Sequence, residues 1–279
     1  MRLGLAKTTG RLCSWFLIFL LIGLGSPACA QSSEVDSNQS VTWRHLFRNV
    51  AGDQKGIWLS PFRMDRRDAK WWVLFGSVTG GLIATDKWTS KQLPNTEDQI
   101  RVSRITSRFG ATYSLAPALM AVYLTGAIRK DDHLRETGLL GVEALANSLL
   151  VTGAVKVATQ RQRPLEQDGL GKFWQGSGRI WNTGASFPSG HATTVWAVAS
   201  VLAHEYPRPR IIPVAAYGIA TAVMASRFTG RRHFASDVVA GAAIGWFIGD
   251  YVCRKRHSSS PGSRSSKLGK ALSLVSLGQ

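Results

Sequence analysis

The stretch LLGVEALANSLLVTGAVKV, residues 139–157, followed by Ala158-Thr159-Gln160-Arg161-Gln162-Arg163-Pro164, decides how the rest of the chain is read. It is longer than an ordinary strand and lacks apolar–polar alternation. Leu, Ala, Val and Gly dominate it, and a proline follows, the pattern of a well-packed helix that stops before Pro164. Five runs of the same texture accompany it, at 71–85, 112–128, 192–204, 211–225 and 238–252. They are joined by basic connectors, with no fixed-period repeat and no convincing strand. The prediction is an all-α fold, a bundle of about six core helices with the functional residues at the helix ends.

The chain has 279 residues, with 34 Lys plus Arg against 17 Asp plus Glu. Such a surplus attracts anions: phosphorylated small molecules, lipid phosphates or a membrane surface. No zinc-finger spacing, RNP-like stretch or basic heptad region accompanies it, so nucleic acid is not expected as a partner. Lys7 and Arg11 precede an apolar run from Leu12 to Leu24, and Ala28-Cys29-Ala30 offers a small-x-small site. This is the layout of a signal peptide over 1–30, and it predicts export to the periplasm or another extracytoplasmic space. Its loss would remove Arg2, Lys7 and Arg11 but no acid, so the remaining chain stays basic. It would also leave Cys253 as a lone thiol with no internal disulfide. Residues 31–69 read as a polar tether, with a hint of an amphipathic helix at Trp43, Leu46 and Phe47. Residues 70–253 read as the working helical domain, and 254–279 as a flexible, basic, serine-rich tail.

A bilayer span needs about 20 mostly apolar residues. The six runs are 13 to 19 residues long, Glu143 and Asn147 interrupt one of them, and the mean hydropathy is −0.02. These features favour a bundle folded outside the membrane, associated at most with its surface. The alternative is an integral protein with six spans. For that arrangement, Arg129-Lys130, Arg208, Arg210 and Arg254-Lys255-Arg256 would share one side, as the positive-inside rule asks. A cleaved signal peptide, however, would then put the motif loops on the cytoplasmic face, so the two signals conflict.

Three stretches carry chemistry. Lys156 and Arg163, seven residues apart, would share one face of a helix end and offer a tetrahedral anion two cations. Pro188-Ser189-Gly190-His191 opens a helix: Ser189 is a natural N-cap, Gly190 admits a close ligand, and the free N–H groups attract an anion beside His191. Ser226-Arg227 is followed by His233 and Asp237, four residues apart, close enough for the carboxylate to accept the imidazole N–H. Each has a plainer reading alone: a basic helix end, an ordinary serine cap, a surface His–Asp pair. Together, at three successive interhelical positions, they describe an anion site with two histidines and one backing carboxylate.

This combination resembles the type-2 phosphatidic acid phosphatase superfamily, which also holds the bacterial class A acid phosphatases and the vanadium haloperoxidases. The family pattern is Lys-x6-Arg-Pro, Pro-Ser-Gly-His and Ser-Arg-x5-His-x3-Asp. The chain matches it at Lys156, Arg163, Pro164, Pro188, Ser189, Gly190, His191, Ser226, Arg227, His233 and Asp237. The resemblance covers residues 70–251. It implies that His233 attacks phosphorus to form a phosphohistidine, that Asp237 orients it, and that His191 acts as acid and then base. It further implies that Lys156, Arg163, Arg227, Ser189 and Gly190 hold the phosphoryl oxygens, without a metal or other cofactor. Vanadate is expected to occupy the same site. The implied activity is hydrolysis of a phosphate monoester or of a lipid phosphate or pyrophosphate. The alternatives are a vanadate-dependent haloperoxidase and an inactive anion- or lipid-binding protein. Arg161, Arg231 and Arg232 read as rim charges. His45, His133, His204 and His257 fall in no pattern, and Trp174 and Trp181 read as residues of the pocket mouth.

Overall fold

The computed structural model describes residues 43–63, 66–94, 96–165, 169–175 and 185–259, all within one compact unit, Val35–Gln279. The expected signal segment, the start of the tether, Trp181 and the tail beyond 259 lie outside the described residues. The elements are α1 (Trp43–Leu59), a 3-10 turn (Ser60–Phe62), α2 (Arg66–Lys91), α3 (Glu97–Arg108), α4 (Thr112–Arg129), α5 (Asp132–Thr159), α6 (Gly190–Glu205), α7 (Ile211–Thr229) and α8 (Ala235–Ser259). The described residues contain no strand. The six apolar runs fall inside α2, α4, α5, α6, α7 and α8, so the all-α bundle expected from them is what forms. Side chains cap two starts: Asp131 accepts from the Leu134 N–H (3.0 Å) and Thr96 from the Gln99 N–H (3.3 Å).

Helix α6 is the axis of the bundle. Every residue from Ala192 to Val201 is buried, as befits a helix apolar or small on all sides. It touches α5, α7 and α8. Its contact with α8 is unusually close because Gly241, Gly245 and Gly249 form a stripe at four-residue spacing. A Cβ at these positions would stand 2.8 Å from the Ser189 carbonyl oxygen, 2.2 Å from that of Thr193 and 2.4 Å from that of Ala197. The two backbones touch over two turns. Gly245→Ala is therefore expected to lower the melting temperature by several degrees. Alanine's helix propensity, worth about 1 kcal/mol, is outweighed by about 1–3 kcal/mol of overpacking against main chain that cannot swing aside. Thermal unfolding in detergent reads this, and an unchanged or raised midpoint would contradict it.

Two boundaries differ from the sequence expectation. The second half of the supposed tether is helix α1, docked on the bundle. Ile57 joins Leu140, Val201, Ile248 and Val252 in one apolar cluster, and buried Asp53 pairs with Lys255 and accepts from Asn147 Nδ2 (3.1 Å). The supposed tail begins late, because α8 continues to Ser259. Its cations are partnered: Arg254 with Asp250 (2.9 Å), Lys255 with Asp53, and Arg256 with Glu143. Buried carboxylates need partners, and a helix C-terminus favours cations, so the basic run is drawn into the helix.

The bundle also turns apolar side chains outward. Tyr113, Met120, Leu124 and Ile128 on α4, Ile211, Val214 and Ile219 on α7, and Trp71, Val73 and Leu74 on α2 are exposed. Glu97–Arg129, Asp132–Thr159 and Ile211–Thr229 are long and apolar enough to cross a membrane. The run lengths undercounted these helices. Polar and small residues extend them past the apolar core, as in α5, which is 28 residues long around a 19-residue run.

Candidate active site

The three motif stretches meet at one end of the bundle, where α5 and α7 finish and α6 and α8 begin. Lys156 lies in the last turn of α5, buried, with its Nζ donating to the Ala185 carbonyl. Arg163 does not share its helix. The helix ends at Thr159, and Gln160 takes a left-handed conformation (φ 42°). The freed backbone groups pair with residues of the loop that follows. Trp174 N–H donates to the Thr159 carbonyl (2.9 Å), Gln162 N–H to that of Lys172 (3.0 Å) and Ser186 N–H to that of Arg161 (2.7 Å). Pro164 disfavours helix at the residue before it. The two cations thus converge from a helix and a loop rather than by helical periodicity.

Ser189 sits at the N-cap position of α6, yet its hydroxyl makes no capping bond. It is fully buried and has no hydrogen-bond partner. A buried hydroxyl without a partner is costly, and here it lies beside the helix N-terminus and His191. Arg227 ends α7. Its carbonyl accepts from Arg232 N–H (3.1 Å) and His233 N–H (3.2 Å), a tight turn that brings His233 back beside it.

His233 lies before α8, not on it. Its Nδ1 is 2.8 Å from the Ser186 carbonyl and 3.7 Å from Asp237 Oδ2. Both neighbours are pure acceptors when Asp237 is ionised, so Nδ1 carries the proton and Nε2 keeps its lone pair. The direct bond therefore goes to Ser186, and Asp237 acts at slightly longer range through its charge. Asp237 in turn accepts from Ser186 Oγ (2.5 Å) and the Phe234 N–H (2.8 Å), the latter an N-terminal capping contact of α8. Its carbonyl accepts from the Ser189 N–H (2.9 Å), tying the two helix starts together. Burial disfavours the Asp237 carboxylate, but the neighbouring His233 imidazole, the Arg161 charge and Ser186 more than offset this and hold its pKa low. Burial pushes His233 down to about 4 despite Asp237, with Lys156 and Arg163 adding to the fall. His191 is pushed down to about 3, first by burial, then by Arg227, His233, Arg163 and Lys156. Both imidazoles are neutral at neutral pH, and all the predicted cations act on them.

Arg161 is not a rim charge. Its side chain is 1% exposed and every polar group is engaged. Nη1 donates to Asp237 Oδ1 (2.7 Å) and Ser236 Oγ (2.6 Å), Nη2 to Asp86 Oδ2 (2.8 Å), and Nε to the Gly171 carbonyl (3.1 Å). The rings of Phe173 and Phe234 lie 4.8 and 4.5 Å from its guanidinium carbon. Asp86, from α2, also accepts from Ser236 N–H (3.1 Å) and Oγ. Asp86, Arg161, Ser186 and Ser236 were not among the site residues read from the sequence. Nothing in the spacing of Asp86 or Ser236 announces them, although Arg161 sits two residues before Arg163. Arg232 is exposed, as a rim charge should be, and Arg231 is half-buried in a left-handed turn (φ 54°). Trp174 is 77% exposed on the loop after α5, with a left-handed backbone (φ 58°). His133 and His204 lie at the far end, paired with Glu205 (3.2 Å) and Asp250 (3.0 Å).

Comparison with known proteins bears on this arrangement. Residues 138–258 match the model of the PAP2 superfamily. A lipid A 1-phosphatase from Porphyromonas gingivalis is 42% identical over 82 residues, covering 29% of this chain and 18% of that protein. A lipid A 1-phosphatase from Rhizobium etli is 37% identical over 101 residues, covering 35% of this chain and 41% of that protein. The chain thus spans less than half the length of these curated relatives. Among solved structures, a transmembrane PAP2-type phosphatidylglycerolphosphate phosphatase from Bacillus subtilis is similar with a TM-score of 0.49 and 19% identity, covering 78% of this chain and 97% of that one. All eleven motif positions, from Lys156 to Asp237, fall within residues 138–258, the segment that matches the PAP2 superfamily model.

Proposed function

We propose that this protein is a phosphatase that removes phosphate from a membrane lipid through a phosphohistidine on His233, using fixed cations rather than a metal. The observation that carries the proposal is the placing of His233: Nδ1 lies 2.8 Å from the Ser186 carbonyl and 3.7 Å from Asp237, and the ring sits in the field of Lys156 and Arg163. A neutral imidazole with a free Nε2 is a nucleophile, and the Asp237 charge stabilises it as it becomes cationic. Nε2 attacks phosphorus, the bond to the lipid oxygen breaks, and His191 gives that oxygen a proton. Water then attacks phosphorus with His191 as base, the P–N bond breaks, and phosphate leaves. Lys156, Arg163 and Arg227, with Ser189 and the first N–H groups of α6, take up the charge that builds on the phosphoryl oxygens. Both relatives are named as lipid phosphatases, which supports a lipid phosphomonoester as substrate. The outward apolar faces and three candidate spans support a membrane location. Arg129, Arg208, Arg210 and Arg254 lie at the end opposite the site, the arrangement that the positive-inside rule expects of an extracytoplasmic site.

The test is single turnover of a lipid phosphate labelled with radioactive phosphorus, stopped in alkali, which preserves phosphohistidine. Label should remain on the wild-type protein, be absent in His233→Gln, and accumulate in His191→Ala, where water attack is slowed. Label that persists in His233→Gln would overturn the assignment. Vanadate should inhibit phosphate release; halide oxidation that strictly requires vanadate would favour a haloperoxidase instead.

The low pKa of His191 sets a further expectation. An acid must be protonated, yet the protein environment alone keeps His191 neutral above about pH 3. Burial depresses it first and the cations next; a bound dianion offsets the cations and favours the imidazolium, so its pKa rises on binding. Binding of sulfate, a tetrahedral dianion that does not itself titrate near pH 6, is therefore expected to take up protons at that pH. Calorimetry in two buffers of different ionisation enthalpy reads the uptake, which should shrink in His191→Ala. Binding with no proton exchange would contradict the role of His191 as acid.

A further inference from the structure

Helix α3 is built inside out. Positions 99, 103 and 107 form one stripe, and it is polar: Gln99 Nε2 donates to the Thr229 carbonyl (2.6 Å), Ser103 Oγ contacts Thr229 Oγ1 (2.9 Å), and Ser103 and Ser107 are buried. The outward side carries Val102, Ile105 and Phe109, which are 63%, 52% and 64% exposed. Beside them runs a second exposed stripe, Arg101, Arg104 and Arg108, at the same spacing of three and four residues. A surface helix in water buries its apolar stripe and exposes its polar one. Here the order is reversed, and cations flank the apolar stripe.

The surroundings say what covers this face. Helix α3 leads within three residues into α4, and Glu97–Arg129 contains a candidate span. A helix joined to the end of a span lies at the level of the bilayer surface. Exposed Tyr113 continues the outward face into the first turn of α4, and exposed Trp88 and Trp174 stand at the same end of the bundle. Aromatic side chains of this kind favour the membrane–water interface. The corner between α3 and α4 is also tied to the site. The Gly110 carbonyl accepts from Thr194 Oγ1 (3.1 Å), one turn after His191, and a Cβ on Gly110 would stand 2.4 Å from Val223.

We infer that α3 is an interfacial helix whose Val102–Ile105–Phe109 stripe enters an anionic lipid surface while Arg101, Arg104 and Arg108 engage its headgroup phosphates. Such a helix lies in the plane of the interface, with apolar burial and charge attraction adding. It sets the depth of the active site at the headgroups, where a lipid phosphate is presented. The inference rests on the lipid phosphatase reading for its consequence, but not for its geometry.

The test uses the full chain in vesicles of phosphatidylcholine with or without phosphatidylglycerol, assayed on embedded phosphatidate and on water-soluble p-nitrophenyl phosphate. The triple variant Val102→Ser, Ile105→Ser, Phe109→Ser is expected to lose about tenfold or more in kcat/KM on phosphatidate and to keep its rate on the soluble ester. Arg101→Gln, Arg104→Gln, Arg108→Gln is expected to abolish both the rate gain from phosphatidylglycerol and its decline with salt. An unchanged lipid rate in the first variant overturns the inference and leaves the face to a protein partner. An equal fall on both substrates overturns it too, because that marks a structural role. A spin label on Ile105→Cys, with Cys13 and Cys29 replaced by serine and buried Cys253 left in place, reads docking without any turnover. Relaxation by oxygen rather than by an aqueous nickel chelate supports the inference, and the reverse overturns it even if the protein hydrolyses neither ester. Inactive wild-type protein with a lipid-buried label would instead defeat the phosphatase reading alone.

Discussion

Alanine in place of His233 is expected to leave a folded protein whose turnover is reduced by about four orders of magnitude or more, the usual scale for loss of a covalent nucleophile. His233 contributes little to the fold: its Nδ1 lies 2.8 Å from the Ser186 carbonyl and 3.4 Å from Ser186 Oγ. Ser186 keeps its bond to Asp237 without it, and Arg161 still neutralises Asp237. The anion site is also left standing, since Lys156, Arg163, Arg227 and Ser189 come from other elements. His233→Ala should therefore bind phosphate or vanadate while failing to turn over. Calorimetric binding and phosphate release measured on one preparation separate the two. Full activity would remove His233 from the mechanism, whereas loss of anion binding would mean that the ring holds the site together rather than reacting in it.

The second large effect is expected at Arg161. Arg161→Met strips the counter-ion from two carboxylates that are both almost fully buried, Asp86 and Asp237. Breaking a buried ion pair from one side costs about 3–5 kcal/mol, because the remaining charge cannot be rehydrated. Two such charges here make Arg161→Met a folding variant first and a catalytic one second. Asp86→Asn isolates the catalytic share. It keeps the shape of the side chain but loses the charge and one of the two acceptor oxygens, and so loosens the hold on Arg161 and on Asp237. A fall in kcat of about 10- to 100-fold is expected, the range for groups that orient a primary functional residue. KM should change little, and labelled phosphohistidine should form more slowly. An Asp86→Asn enzyme with wild-type kcat and reduced thermal stability would show that the network is only a strut.

The two positions also mark where the sequence was legible. The six core helices could be read because each carries a long apolar run bounded by polar connectors. Lys156, Arg163, Ser189, Gly190, His191, Arg227, His233 and Asp237 could be read because they recur in short, dense motifs. Asp86 could not, because it is a single acid at the end of a helix 75 residues from Arg161, its ion-pair partner. Arg161 could be seen but not placed: an arginine among Arg, Gln and Pro looks solvated until the chain folds Phe173 and Phe234 over it. Helix α3 was missed because its composition is polar. Its meaning lies in which residues face outward, and that depends on what α7 covers. The helical relation expected between Lys156 and Arg163 failed for a similar reason. Carbonyls after Thr159 found partners in a loop far along the chain, and no local rule sees those.

The glycine stripe of α8 has a consequence for how such an enzyme can diversify. Because α6 and α8 meet main chain to main chain, the separation between the start of α6, which carries His191, and the start of α8, which His233 precedes, is a property of the backbone, not of any side chain that substitution can enlarge or shrink. Core repacking elsewhere cannot retune it. The reacting pair is thus insulated from drift in the body of the protein. If the protein is the lipid phosphatase proposed above, adaptation to a new substrate falls to the loop after α5 and the outward face of α3, which do not set the distance between His191 and His233.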